Sequence, residues 1–304
     1  MHPNSSTMRA IAALLLLSVI WGYNWIVMKV AMPFIGPFQF GAIRTFFAAL
    51  LLFAALIIMR RSLRPDHLLQ TTLIGVLQTT GFTGLIIWAL VEGGAGKTAV
   101  LTFTMPFWVM LLAWPLLGEK IRGMQWPAAG LAVAGLLLIL EPWNFHGKLF
   151  SNALAVLAGV SWALAVILAK QLHHRAPNTD LLSFTAWQML IGSLPLVVLA
   201  WIIPAPPITW SPTLVSSVLF NVVLANGLGW LLWLYALRGL PAGVASMNSL
   251  LIPIIAVSSA ALQLGELPSL AEAAGMLLIG GALLLLTVIG VRKHEQVDSA
   301  TGQD

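Results

Sequence analysis

Long apolar runs, separated by short segments rich in glycine, proline or charged residues, cover most of the chain. A helix needs about 20 apolar residues to cross the hydrocarbon core of a bilayer. The runs are too long for strands, and they lack the alternation of apolar and polar residues typical of strands. We therefore predict an all-α membrane protein of ten transmembrane helices, at residues 9–30, 37–59, 69–91, 97–117, 124–141, 151–170, 180–203, 213–238, 243–263 and 269–291.

The composition supports a membrane protein. Of the 304 residues, 59% are hydrophobic and 8% are charged, whereas a soluble domain has roughly 25% charged residues. The absence of cysteine excludes a disulfide scaffold, a cysteine nucleophile and thiolate metal sites. The net charge of +5 does not indicate nucleic-acid binding, because the basic residues lie in short connections between apolar runs.

The distribution of lysine and arginine predicts the orientation of the helices. With the N-terminus inside, eleven of the 15 basic residues fall in cytoplasmic segments, three fall on the other side, and Arg44 lies within a span. Cytoplasmic loops carry an excess of Lys and Arg. We therefore predict a multi-pass protein of the inner (plasma) membrane with both termini in the cytoplasm.

The second half of the sequence resembles the first at an offset of 141 to 147 residues. Trp21–Lys29 aligns with Trp162–Lys170. Further matched pairs are Phe40 with Phe184, Arg44 with Gln188, Thr79 with Asn226, Thr102 with Ser249, Pro106 with Pro253, Glu119 with Glu266, Gly130 with Gly275, and Gly135 with Gly280. We predict two five-helix repeats, at residues 9–141 and 151–291.

An odd number of helices in each repeat has a consequence for orientation. The second repeat must enter the membrane from the opposite side, so that the two halves form an inverted pair. Inverted repeats give two nearly equivalent packings, open to opposite sides, with a substrate site near the midplane. The sequence thus predicts alternating access to a central cavity.

A motif in predicted helices 4 and 9 resembles the EamA repeat of the drug/metabolite transporter superfamily. It consists of a small residue, a proline seven positions later and a glutamate thirteen positions after that. The two copies are Ala99, Pro106 and Glu119, and Ser246, Pro253 and Glu266. The resemblance implies ten helices, a central cavity and transport of a small solute, commonly the export of amino acids or other metabolites.

Arg44 is the one charged residue well inside a span. Burying it costs at least about 2.5–3.5 kcal/mol, so it needs a partner or a water-lined surface. One interpretation is that it attracts a substrate carboxylate or opens a gate. The other is a structural bond to backbone carbonyls, or extension of the side chain towards the nearby membrane surface. Its repeat mate, Gln188, is polar but uncharged.

Deep polar residues and tryptophans form the rest of the predicted site. Each buried polar side chain needs a hydrogen-bond partner, and an indole stripe on helix 1 can either pack against other helices or line a cavity. The predicted substrate-binding residues are Trp21, Asn24, Trp25, Arg44, Gln78, Thr79, Thr102, Trp162, Gln188, Asn226, Trp230, Asn248 and Ser249.

We find no motif for an enzyme, a metal site or a bound cofactor. His173 and His174 have no third ligand nearby in the sequence. The expected partners are a small-molecule substrate and the lipid bilayer, without nucleic acid, and the chain is expected to act as a monomer or homodimer. We predict a secondary exporter of small metabolites such as amino acids. The alternatives are a lipid or lipid-linked sugar flippase, a membrane-embedded enzyme and a non-transporting subunit.

Overall fold

The computed structural model describes residues 5–140, 148–239 and 248–301, with side-chain burial for residues 8–140, 148–236 and 250–289. The described residues form helices and short connections, and none of them lies in a strand. This confirms the prediction of an all-α protein.

The helices of the described residues are labelled α1 to α10 in chain order, and most of their limits lie within five residues of the predicted ones. They are α1 Ser5–Ala31, α2 Pro37–Ile58, α3 Leu68–Glu92, α4 Ala95–Leu117 with a turn at Phe103 and Thr104, α5 Gln125–Leu140, α6 Leu149–Arg175, α7 Leu181–Ile202, α8 from Pro212 to Gly239, α9 Asn248–Leu264 and α10 Leu270–Thr301. The exception is α10, which continues ten residues beyond its predicted end at 291. The predicted start of the ninth helix, at residue 243, lies outside the described residues.

Eight of the helices in the described part of the chain are long and apolar enough to cross a membrane, namely α1 to α4, α6 to α8 and α10. The other two apolar segments are shorter, Gln125–Leu140 in α5 and Leu250–Leu264 in α9. At 1.5 Å per residue, α5 is about 24 Å long, slightly less than the ~30 Å hydrocarbon core. The structure therefore supports a multi-pass membrane protein with eight clear spans.

Local sequence signals explain several helix ends. Asp180 and Ser211 precede α7 and α8, and their side-chain oxygens accept hydrogen bonds from backbone N–H groups two and three residues later. Gly118 and Gly265 end α4 and α9 with φ angles of 72° and 63°. A left-handed residue after a helix favours glycine, which has no Cβ to clash. These two glycines directly precede the matched residues Glu119 and Glu266, so the two halves end corresponding helices in the same way.

Matched helices pack in matched ways. α2 packs along α7 and α5 packs along α10. α1 packs against α9, as α6 packs against α4. α3 contacts α6 and α7, and its counterpart α8 contacts α1 and α2. When the two halves are exchanged, the α2–α7 and α5–α10 contacts map onto themselves, and each of the other contacts maps onto another contact named here.

Two glycines allow α5 and α10 to touch through their backbones. A Cβ atom added at Gly135 would lie 2.7 Å from the carbonyl oxygen of Gly275, and one added at Gly275 would lie 2.7 Å from the carbonyl oxygen of Gly135. Small residues that let backbones approach are typical of helix pairs in membranes.

The outward surface carries large apolar side chains. Ile58, Leu262, Leu270 and Leu277 are 81%, 86%, 92% and 78% exposed. Buried residues such as Leu17, Phe40 and the alanines of α2, α6 and α7 fill the spaces between helices instead. An apolar exterior of this kind suits contact with lipid rather than water.

Each half contains one π-helical segment, at Gly75–Thr83 in α3 and at Phe220–Leu228 in α8. The two segments have the same length of nine residues and lie 145 residues apart, within the offset range of the predicted repeat. π-helical segments are rare in proteins, but those that occur are often found at functional sites. Residues of both segments line the same cavity.

Candidate functional site: a central cavity

A cavity of about 100 Å³ lies where the two halves meet. Every helix except α5 and α10 contributes to its wall. Its lining residues are Trp21, Asn24, Trp25, Met28, Arg44, Thr45, Gln78, Thr79, Phe82, Thr83, Ile86, Phe103, Trp162, Gln188, Met189, Ala225, Asn226, Trp230 and Ile252.

One part of the cavity wall is polar and only partly satisfied. The Arg44 side chain donates to Sδ of Met28 at 2.6 Å, and its Nε has no partner. Oδ1 of Asn24 and Oε1 of Gln188 are also buried without a partner. An unpaired buried polar atom costs about 1–3 kcal/mol. Each of these three atoms would therefore be stabilised by a hydrogen bond to a ligand or a water molecule in the cavity.

The rest of the wall is aromatic. The rings of Phe82 and Phe103 lie 4.9 and 5.7 Å from that of Trp162, between centroids. Trp21 and Trp230 lie 5.8 Å apart in an edge-to-face arrangement. The repeat mates Trp21 and Trp162 thus each belong to an aromatic cluster, and both rings line the cavity.

The π segment of α8 holds Trp21 in place. Nε1 of Trp21 donates to the carbonyl oxygen of Ala225 at 2.8 Å. Gly229 follows the π segment, and a Cβ there would lie 2.6 Å from Nε1 of Trp21. Glycine at this position therefore makes room for the indole.

The π segment of α3 binds α6 and α7 in a similar way. The hydroxyl of Ser161 in α6 donates to the carbonyl oxygen of Leu77 at 2.7 Å, and that of Thr80 donates to the carbonyl oxygen of Gly192 in α7 at 2.6 Å. Irregular backbone inside a membrane is tolerated where it is buried in protein or lines a cavity. Both π segments meet this condition.

The structure brings most of the predicted binding residues together. Ten of them line the cavity, namely Trp21, Asn24, Trp25, Arg44, Gln78, Thr79, Trp162, Gln188, Asn226 and Trp230. Thr102 is buried but lies outside the lining, and its hydroxyl donates to the carbonyl oxygen of Ala155 at 3.4 Å, between α4 and α6. The side chains of Asn248 and Ser249 lie outside the described residues, as does Ser246.

Sequence reasoning missed several lining residues. Thr83 lies one turn after Thr79, so helical spacing could have indicated it. Met28 lies three residues after Trp25 in α1, so helical spacing could have indicated it as well. The apolar residues Phe82, Phe103 and Ile252 are not distinguishable from core residues in a sequence of this composition, because position in the tertiary structure alone makes them part of the wall.

Charged groups outside the cavity join helix ends. Nζ of Lys29 donates to the carbonyl oxygens of Leu90 and Gly93, both at 2.8 Å. The ion pairs in the described part of the chain are Arg61–Asp180 at 3.0 Å, Lys97–Glu272 at 2.5 Å and Lys170–Glu119. None of these pairs includes Arg44. No group of three potential metal ligands occurs among the described residues.

The fold and the candidate site place the chain in the class of helical membrane proteins with an internal cavity. Comparison with known proteins identifies the family. The model of the EamA-like transporter family matches residues 8–141 and 149–288. The chain belongs to this family, which confirms the resemblance seen in the motif of helices 4 and 9. Membership points to a transporter rather than an enzyme.

Curated relatives cover nearly the full length of the chain. An uncharacterized transporter of Bacillus subtilis, YoaV, is 32% identical over 86% of this chain and 91% of its own length. A protein of Escherichia coli named "Probable amino-acid metabolite efflux pump" is 26% identical over 93% of this chain and 96% of its own length. A protein of the same name from Salmonella typhimurium is 27% identical over 91% of this chain and 94% of its own length.

A solved crystal structure has a similar fold. It superimposes with a TM-score of 0.63 at 16% sequence identity and covers 94% of this chain and 99% of the other chain. At this level of identity the likeness concerns the fold alone.

Proposed function

We propose that this chain is a secondary transporter that exports small organic metabolites, such as amino acids, across the inner membrane by alternating access. Its ten helices form two inverted repeats, at residues 9–141 and 151–291, with both termini in the cytoplasm. The observation that carries the proposal is the central cavity, which both halves line with matched side chains.

The matched packing supports the inverted arrangement. The contacts of α1 with α9 and of α6 with α4 exchange when the halves exchange, as do those of α3 and α8. The π segments of α3 and α8 also exchange when the halves exchange, as do the indoles of Trp21 and Trp162. A structure with this internal relation has two nearly equivalent arrangements of its halves, which is what alternating access requires.

The size and chemistry of the cavity favour a small solute. Sites for drug-sized ligands have volumes of about 300–1,000 Å³, and this cavity encloses about 100 Å³. A lipid-linked sugar would need a much larger opening, so the cavity gives the flippase alternative no support. Substrate export as the direction rests on the names of the E. coli and Salmonella relatives.

The test is substrate counterflow with the purified full chain in proteoliposomes. Vesicles loaded with a panel of unlabelled amino acids and related metabolites should accumulate the matching labelled compound faster than protein-free vesicles do. If no member of the panel exchanges faster than in protein-free vesicles, the proposal is wrong.

A cavity variant links the transport to this site. Asn24→Leu keeps the approximate volume and removes the amide, so a lost hydrogen bond of about 1–1.5 kcal/mol should reduce exchange roughly tenfold. Leu50→Ala in α2, where the side chain is 44% exposed on the outer surface, is the matched control. Equal exchange by Asn24→Leu and Leu50→Ala would place the transport path elsewhere.

A further inference from the structure

Of the described residues that line the cavity, Arg44 is the one with a charged side chain. None of these lining residues is Asp or Glu. The ten acidic residues of the sequence all lie near helix ends, in connections or in the last ten residues of the chain. The segment from 240 to 249, whose side chains the structure does not describe, contains no acidic residue in its sequence. Arg44 therefore has no acidic counterpart among the described residues that line the cavity.

The guanidinium group of Arg44 also has few hydrogen-bond acceptors. Only 6% of the residue is exposed, and its acceptor is the sulfur of Met28, a weak one. Nε has no partner, and the guanidinium takes part in none of the ion pairs found among the described residues. A buried charge left without a partner is strongly destabilising. A bound anion would supply the missing charge and, by accepting from Nε, the missing hydrogen bond.

The surroundings of Arg44 define the rest of the ligand. Indole and phenyl rings from α1, α3, α4, α6 and α8 line the same space. The free acceptors, Oδ1 of Asn24 and Oε1 of Gln188, are neutral amide oxygens. They can accept a hydrogen bond from an N–H or O–H group, but they give a ligand ammonium group no opposite charge.

We propose that Arg44 makes the cavity selective for organic monoanions with an aromatic or other apolar body, in preference to the corresponding zwitterions and cations. Short aryl carboxylates and 2-oxo carboxylates are such anions. This inference rests on the proposed function and narrows its substrate class. Each export cycle then moves one net negative charge outward, and the interior-negative membrane potential drives that movement.

The potential is large enough to act as the energy source. Moving one elementary charge through 100 mV is worth about 2.3 kcal/mol, and each ~1.4 kcal/mol is a factor of ten. A membrane potential of about 100 mV thus supports a concentration ratio of roughly 50-fold for a monoanion. No carboxylate is needed in the cavity to couple transport to protons, which agrees with the absence of one from its lining.

Three probes with the same aromatic body test the selectivity. L-phenylalanine is a zwitterion, 3-phenylpropanoate is a monoanion and 2-phenylethylamine is a monocation at neutral pH. Proteoliposomes holding the full chain are loaded with one labelled probe, and valinomycin with a potassium gradient sets an interior-negative or a zero potential. The initial rate of efflux is measured against protein-free vesicles.

The monoanion should leave roughly tenfold faster than the zwitterion or the cation, and the interior-negative potential should accelerate its efflux. Arg44→Gln should abolish the preference, Arg44→Lys should retain part of it, and Leu50→Ala should behave as wild type. Equal or faster efflux of the zwitterion, or monoanion efflux that does not respond to the potential, would overturn the inference without any variant.

The outcome separates this inference from the proposed function. If the counterflow panel shows exchange but 3-phenylpropanoate does not move, the charge selectivity is wrong and the transporter proposal stands. If neither the panel nor any of the three probes moves faster than in protein-free vesicles, both are wrong.

Discussion

The crossing of α5 and α10 allows a sharp test of the packing. Gly130 and Gly135 in α5 are the repeat mates of Gly275 and Gly280 in α10, and the sequence treats them alike. The structure does not. Gly135 and Gly275 are buried in backbone contact with each other, whereas a Cβ atom at Gly130 or Gly280 would meet nothing within 4 Å.

Substitution by alanine should therefore have opposite effects at the two kinds of position. At Gly135 the added methyl group would lie 2.7 Å from a backbone oxygen and 2.8 Å from Cγ1 of Ile279. Because two helix backbones must separate to admit it, we expect a destabilisation of about 1–3 kcal/mol, as for other overpacked sites. At Gly130 the methyl group meets no obstacle, and alanine stabilises a helix by up to ~1 kcal/mol relative to glycine.

The assay is the unfolding of the four single variants in mixed detergent micelles, followed by circular dichroism as the fraction of denaturing detergent increases. Gly135→Ala and Gly275→Ala should unfold at a lower fraction than wild type. Gly130→Ala and Gly280→Ala should unfold at the same or a higher fraction. Equal shifts for Gly130→Ala and Gly135→Ala would refute the crossing described here.

Three further predictions concern the cavity, the helix ends and the orientation. Trp21→Phe keeps a ring in the wall but removes the hydrogen bond to the carbonyl oxygen of Ala225, so the free energy of unfolding should fall by about 0.5–1.5 kcal/mol; an unchanged detergent midpoint would contradict this. Lys170 and Glu119 form an ion pair with 44% and 50% of their side chains exposed, so a double-mutant cycle with glutamine at both positions should give a coupling energy below about 1 kcal/mol; a larger value would show a buried interaction. Reporter fusions between α2 and α3, and after α10, should be active only with a cytoplasmic reporter; opposite locations for the two fusions would contradict an even number of spans.

The main features of the fold follow from hydrophobicity and spacing. Ten apolar runs predicted the helices and most of their limits, because a span needs a fixed length of apolar sequence. Apolar length is a weaker indication of a membrane span for α5 and α9, because their described apolar segments are shorter than those of the other helices. Motif spacing around Pro106 and Pro253 indicated the family, which the comparison confirmed.

The candidate site was predictable in its polar part. A polar residue deep in an apolar run is conspicuous, so Asn24, Arg44 and Gln188 stood out and lie together in the structure. The same signal included Thr102, whose hydroxyl instead joins α4 to α6. A hydroxyl that faces a neighbouring helix and one that faces a cavity have the same appearance in sequence.

The sequence by itself determined that the chain is helical, enters a membrane, repeats its pattern and carries one arginine deep in an apolar run. Only the tertiary structure decided which glycines touch, which aromatic rings form a wall, and that a π segment in each half borders the cavity. Hydrophobicity and spacing are properties of one helix at a time. Contact depends on which faces of two helices meet, and that is set by packing of the whole bundle.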